Sequence, residues 1–414
     1  MALTLIHTSD WHLGHTLFER GRDEEHEAFL TWLFTQLGEQ EADVLLVTGD
    51  VFDVTNPASA AMATLYRFLA RASAAYPRLQ TFVLAGNHDS PGRIDAPAPL
   101  LAELRVSVVG SFDPDAPEKL VFPLCDPEGR TEGWLVAMPF LRPADLVAVP
   151  EGEGDPMIEG VRRAYARALD VARARRAPGQ ALVATGHCYM VGGSLSELSE
   201  RRVLGGNQHA LPADIFPDDV TFVALGHLHR PQRVGGQERI QYAGSPIPLS
   251  MDERGYVHRI LRVDLEAGGV SSLTSLPVPR TVELLRIPER SDTYLPLPEL
   301  KARLVELPEW EKGRMDNWRR PFLEVGIELS GPKLGLHAEL DRELQGKAAR
   351  LCSIRRARSE AGEAPVLERQ LADLRPEEVF RARWLQDAPG REPPPELMSL
   401  FLSMLDREQH TDVS

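Results

Sequence analysis

Val44-Leu45-Leu46-Val47-Thr48-Gly49-Asp50-Val51-Phe52-Asp53 sets an apolar, β-branched run directly before a glycine and two carboxylates. A short apolar run stopped by a turn residue reads as a buried strand, and the polar residues after it as the loop that the strand presents. The same pattern recurs along the chain. Leu3 to Thr8 runs into Ser9-Asp10-Trp11-His12, and Thr81 to Ala85 into Gly86-Asn87-His88-Asp89. Ala181 to Thr185 runs into Gly186-His187, and Thr221 to Leu225 into Gly226-His227-Leu228-His229. Between these strands, Ala58 to Ala75 and the series Ile158, Val161, Tyr165, Leu169 and Ala172 step at helical spacing, with the larger side chains on one face. Strands alternating with helices predict an α/β sandwich. The alternation stops around Pro277, Val278 and Pro279. That break predicts a first domain at 1–279, a smaller mixed segment at 280–359, and a tail at 360–414 in which linker-like Glu360 to Pro365 precedes two short amphipathic helices.

At 414 residues the chain exceeds what one hydrophobic core usually supports. No signal-peptide pattern surrounds Leu3 to Thr8, and no apolar run approaches the roughly 18 residues of a membrane helix, which predicts a cytoplasmic protein with no membrane partner. Three cysteines, Cys125, Cys188 and Cys352, make neither an even set nor a C-x-x-C pair. A disulfide framework and a thiolate zinc site are therefore disfavoured, and a reducing compartment fits. The formal net charge of -15 excludes a basic coat of the kind nucleic-acid binders wear, but not a local basic groove. Carboxylates gathered around cations also count as bare negative charge in that sum.

The polar motifs all follow apparent strands, where open α/β sheets present loop residues to ligands. Asp10 and His12 sit two residues apart and can share one ion if the backbone is extended between them. Oxygen and imidazole donors without thiolates suit Mn²⁺ or Fe²⁺ better than Zn²⁺. A D-x-H or H-x-H alone commonly caps a turn or sits at the surface, so the signal is the ordered set rather than any member. His7, inside the first strand, reads as a core histidine, and His15 and His26 as surface ones; His209, His258, His337 and His410 have no supporting motif.

The set D-x-H, G-D, G-N-H-D, G-H and G-H-x-H resembles the calcineurin-like metallophosphoesterases. Longer stretches, Thr8-Ser9-Asp10-Trp11-His12-Leu13-Gly14, Gly86-Asn87-His88-Asp89-Ser90, Gly226-His227-Leu228-His229-Arg230-Pro231-Gln232 and Tyr242-Ala243-Gly244-Ser245-Pro246, resemble one branch, the SbcD-like nucleases. The resemblance implies a metallophosphoesterase four-layer α/β sandwich, a smaller α+β capping and DNA-binding domain, and a C-terminal helical arm that docks an SbcC-like ATPase. It implies two divalent cations, Mn²⁺ foremost: Asp50 bridging, Asp10, His12 and His229 on one ion, and Asn87, His187 and His227 on the other. His88 would face the phosphate, with Asp53 orienting and charging it. The implied activities are DNA exonuclease and single-strand or hairpin endonuclease, in a nucleoid-associated repair complex. Two alternatives stay open: a phosphatase acting on nucleotides, proteins or small phosphoesters, and a non-catalytic DNA-binding scaffold.

Three further expectations concern partners. Lys312, Arg314, Trp318, Arg319 and Arg320, then Arg350, Arg355, Arg356 and Arg358, could track a phosphate backbone. A homodimer is implied by the resemblance, and Leu65, Phe68, Leu69 and Ala72, with Leu100, Leu101 and Leu104, are candidates for its surface or for the core of one subunit. In the tail, Leu397, Leu400, Phe401, Met404 and Leu405 form one apolar stripe, and Val379, Phe380 and Trp384 a second. A module so short leaves such stripes exposed unless another surface covers them.

Overall fold

Leu3–Thr8 is buried at every position, so both of its faces need cover, and they receive it. It lies in a six-stranded sheet whose order is Gly269–Pro277, Arg259–Glu266, Leu3–Thr8, Val44–Thr48, Gln80–Leu84, Val106–Val109. The last four strands are parallel and the first two antiparallel to their neighbours. A second six-stranded sheet runs Gln232–Val234, Gln237–Tyr242, Phe222–Gly226, Ala181–His187, Thr131–Val136, Val121–Cys125, again parallel at its centre. Leu3, Leu5, Val44 and Leu46 from the first sheet pack with Val183, Ala184, Val223 and Leu225 of the second in one apolar core. The opposite face, Ile6, Leu45, Val47 and Val83, packs with Phe29 and Leu33 of the helix Asp23–Glu39 and Leu65 and Phe68 of Ser59–Ala75. The helix Pro156–Arg175 adds Val161, Tyr165 and Leu169 to the core of the second sheet. Helix, sheet, sheet, helix is the expected α/β sandwich of four layers.

These elements belong to a computed structural model of the chain, which describes residues 3–146, 155–194, 210–310, 316–329 and 333–357, with short pieces between 380 and 401. The chain divides into two compact units, Met1–Val282 and Glu283–Ser414. In the second, Leu284–Ile287, Leu295–Pro296 and Arg350–Arg356 all pair in parallel with Phe322–Glu328. Helices Leu297–Val305 and Leu336–Glu343 cover that sheet through Leu300, Leu304, Leu336 and Leu340. Most of the predicted tail lies outside the described residues. Phe380 and Phe401, one from each apolar stripe, stack with ring centroids 4.3 Å apart.

Strand edges shift where main-chain pairing decides them. The third strand spans Gln80–Leu84 rather than Thr81 to Ala85, because the Gln80 amide donates to the Asp43 carbonyl. Ala181–His187 runs on past Thr185, since His187 still pairs with Gly226 in the ladder.

Of the two readings left open for the apolar helix faces, the structure favours the core of one subunit. Leu65, Phe68, Leu69, Ala72 and Leu101 are all buried within the first unit, and Phe68 meets the Trp11 indole edge-on at 5.6 Å. They are core, not a dimer surface, and an arginine at Phe68 would bury an unpaired charge. Leu100 alone of that group is fully presented, at 72 % exposure. Of the arginine-rich stretches, three guanidinium groups are engaged within the second unit, while Arg319 is 49 % exposed and Arg356 is exposed. Arg320 donates to the carbonyls of Lys347 and Ala349, and Arg350 to those of Trp318 and Arg320. Arg355 pairs with buried Glu324, which Arg286 also holds at 2.6 Å. Lys312, Arg314 and Arg358 lie outside the described residues.

Candidate metal centre

Parallel strands end together, and the loops after them converge on one point of the first unit. Asp10, His12 and His229 each bring a donor atom within 4.8 Å of the others, as do Asp50, His187 and His227. Asp50 touches both groups: its Oδ2 lies 3.3 Å from His187 Nε2 and 3.6 Å from His12 Nε2. Asn87 completes the second group, with Oδ1 3.0 Å from both His187 Nε2 and His227 Nδ1. His88 forms a further triad with His12 and Asp50. Every residue singled out from the motifs thus arrives at one buried centre.

The backbone is bent to achieve this. Asp10, His12, Asp50 and His227 all have positive φ, at 53°, 49°, 47° and 99°. Non-glycine residues avoid that region, and each such position costs on the order of 1–3 kcal/mol unless its surroundings enforce it. The enforcement is visible as hydrogen bonds from the Asp10 amide to the Gly49 carbonyl and from the His12 amide to the Asp50 carbonyl. Close approach also requires glycine. A Cβ on Gly49 would collide with the His187 ring, and one on Gly86 with the Asp50 carboxylate.

Each imidazole is aimed by an oxygen on its far side. His187 Nδ1 is 2.9 Å from the Thr48 carbonyl, His229 Nδ1 2.9 Å from Glu253 Oε1, and His12 Nδ1 3.2 Å from Asp53 Oδ1. An acceptor at Nδ1 fixes the proton there and leaves the Nε2 lone pair facing the centre, which is how metal-ligating histidines are oriented. Asp89, fully buried, accepts from the amides of Val51, Phe52 and Gly86 and ties the second and third motif loops together.

The electrostatics follow from packing carboxylates and imidazoles out of water. Burial alone would lower the His187 pKa, but Asp50 outweighs it and raises the value to about 9. Burial works against Asp50, yet the facing His187 charge holds its carboxyl well below the usual range. His12 and His227 are lowered, chiefly by burial, His227 to about 3. Burial, then the neighbouring Asp50 charge, pushes Asp89 up to about 6. The donor set fits divalent cations: Asp10 Oδ2 and His12 Nε2 are buried and have no hydrogen-bond partner among the described residues. Such atoms cost about 1–3 kcal/mol each when left unpaired, and a cation at either would remove that cost.

The structure corrects the expected pairing of Asp53 with His88. His88 Nδ1 sits 2.7 Å from the main-chain carbonyl of Asp53, whereas the Asp53 carboxylate meets His12 and, at 3.0 Å, His15. His15 is therefore no idle surface residue, since its Nε2 also reaches the Leu249 carbonyl. His26 is buried too, against the Trp11 carbonyl. His7 is a core histidine as expected, bound to Thr48 Oγ1.

Glu253 escaped the sequence reading, because nothing in Met251-Asp252-Glu253-Arg254 marks it and it lies 24 residues from its partner. It is fully buried and also accepts from the Leu249 amide. Glu253→Gln should weaken cation affinity about 10- to 100-fold, by the usual cost of losing an outer carboxylate. Titration calorimetry with Mn²⁺ measures it, and unchanged affinity would show that Glu253 only packs.

Comparison with known proteins agrees with this geometry. Residues 3–231 match the calcineurin-like phosphoesterase family model, and residues 280–388 the model described as the type 5 capsule protein repressor C-terminal domain. The SbcD subunit of the SbcCD nuclease of Rhodobacter capsulatus is 39% identical over 389 residues, covering 92% of this chain and 94% of that protein. The Escherichia coli protein of the same name is 31% identical over 419 residues, covering 97% and 98%. That of Bacillus subtilis is 31% identical over 275 residues, covering 64% and 67%. The chain belongs to the SbcD family of SbcCD nuclease subunits, within the calcineurin-like phosphoesterases.

Proposed function

We propose that this protein hydrolyses phosphodiester bonds in DNA, as an exonuclease and as an endonuclease on single strands and hairpins, with two divalent cations, Mn²⁺ foremost. The observation that carries the reading is Asp50 Oδ2 standing between two histidine-bearing groups, with buried Asp10 Oδ2 and His12 Nε2 beside it lacking a hydrogen-bond partner among the described residues. Asp10, His12, Asp50 and His229 would hold one cation, and Asp50, Asn87, His187 and His227 the other. When bound, the pair supplies Lewis-acid polarisation of the phosphate and a water of lowered pKa.

The chain's own residues do the rest. Glu253 and the Asp53 carboxylate keep His229 and His12 in one tautomer, while the Thr48 carbonyl does so for His187. The Asp53 carbonyl holds the proton of His88 on Nδ1. His88 Nε2 is then the atom that meets the phosphate or the leaving oxygen.

The relatives are named as the SbcD member of the SbcCD nuclease, which supports an SbcC-like ATPase partner. Its docking is assigned to the C-terminal helices. Self-association is also part of the reading, with exposed Leu100 as the apolar side chain available to a second copy. No helix among the described residues is long and apolar enough to cross a membrane.

End-labelled duplex, single-stranded and hairpin DNA, set beside an aryl phosphate monoester in Mn²⁺ and in EDTA, tests the activity. DNA should be cut in Mn²⁺ alone and the monoester only slowly. Rapid monoester hydrolysis with intact DNA would make the protein a phosphatase instead.

A further inference from the structure

A recess of about 460 Å³ opens in the first unit, lined by Arg230, Pro231, Tyr256, Val257, Arg259 and Ser275, among others. Arg230 directly follows His229, so one wall of the recess shares its stretch of chain with the metal centre. On a chain of net charge -15, it gathers two guanidinium groups. Neither has a carboxylate partner among the described residues. Arg230 is exposed and lies over the Tyr256 ring, 5.7 Å from its centroid. Arg259 donates only to neutral oxygens, 2.7 Å to Ser275 Oγ and 3.2 Å to Gln241 Oε1, and its buried Nε has no partner among the described residues. Burial among these neighbours penalises the Arg259 charge, which an anion in the recess would offset. Tyr256 and the 73 % exposed Val257 supply an apolar wall beside the two cations.

Two arginines without acid partners, set beside an apolar wall, suit a nucleotide: phosphate oxygens for the guanidinium groups, sugar and base for the wall. We propose that this recess binds a phosphodiester of the DNA strand next to the scissile bond, with Arg230 and Arg259 as its anchors. The inference rests on the nuclease reading above and adds the path by which a strand enters the centre. It also answers how so acidic a protein holds a polyanion, through one local site rather than a basic face.

The test uses the full chain and the variants Arg230→Ala, Arg259→Gln and Arg233→Ala. Arg233 is 59 % exposed on the nearby strand but does not line the recess, so it controls for loss of charge alone. Each protein is assayed in Mn²⁺ on a single-stranded oligonucleotide across a salt series, and on bis(p-nitrophenyl) phosphate, a diester with no flanking phosphate. Arg230→Ala and Arg259→Gln should each lower kcat/KM on the oligonucleotide about tenfold through KM, and flatten the salt slope by about 0.7 per lost phosphate contact. Both should hydrolyse the small diester within about twofold of wild type, and Arg233→Ala should change nothing. Wild-type cleavage of the oligonucleotide by both recess variants, or an equal loss in Arg233→Ala, would overturn the assignment. A wild-type protein that cleaves the small diester but leaves every oligonucleotide intact would overturn the nuclease reading itself.

Discussion

Asp50→Asn should yield a folded protein that retains less than one cation per chain and cleaves DNA below about 10⁻⁴ of the wild-type rate, as expected when both ions of a two-metal site are lost. The substitution keeps an oxygen where Asp50 Oδ1 accepts the His88 amide at 2.8 Å, so the loop geometry has no reason to fail. What disappears is the charge on Oδ2, the atom between His187 and His12. That charge is also what lifts His187 to about 9 against the effect of burial. An amide there would offer a neutral oxygen in place of the carboxylate that both proposed cations would share. Metal analysis of dialysed protein, with circular dichroism as a check on folding, reads the result. Two retained cations with normal turnover would remove Asp50 from the bridging role.

How much of this could be read from the chain alone depended on whether the cause was local. The strand-then-loop pattern is local, so Asp10, Asp50, Asn87, His187 and His227 could be picked out beforehand. Their meeting across 100 residues between Asn87 and His187 brings the loop after a first-sheet strand to the end of a second-sheet strand, and follows from the packing of the two sheets on one shared core. The partner of a side chain is not local. Asp53 sends its carboxylate to His12 and His15 and only its carbonyl to His88, a division that spacing within Gly49-Asp50-Val51-Phe52-Asp53 cannot encode. Glu253 comes from a 3-10 turn after the second sheet, where no periodicity points to a metal site. Phe68 shows the converse limit. An amphipathic helix has one apolar stripe whether that stripe meets its own sheet or a second copy of the chain, and here Trp11 and Phe29 had already claimed it.

His88→Ala should leave two cations bound and lower turnover on DNA about 10²- to 10⁴-fold, the range for losing a proton donor or a transition-state hydrogen bond. Cations should survive because Asp10, His12, Asp50, Asn87, His187, His227 and His229 still supply the proposed donors, while the His88 ring, though within 4.8 Å of His12 and Asp50 donor atoms, is held through Nδ1 to the Asp53 carbonyl. The carbonyl accepts only if Nδ1 carries a proton. In the neutral ring Nε2 therefore bears a lone pair, and it can donate only in the imidazolium form. That distinction separates the two roles. A deoxyribose leaving oxygen needs a proton as its bond to phosphorus breaks, whereas p-nitrophenolate leaves without one. If His88 is the acid, His88→Ala should lose far more on DNA than on bis(p-nitrophenyl) phosphate. Equal losses on both substrates would assign His88 to stabilising charge on the phosphate instead. Normal turnover on DNA, with both cations present, would take it out of the chemistry altogether.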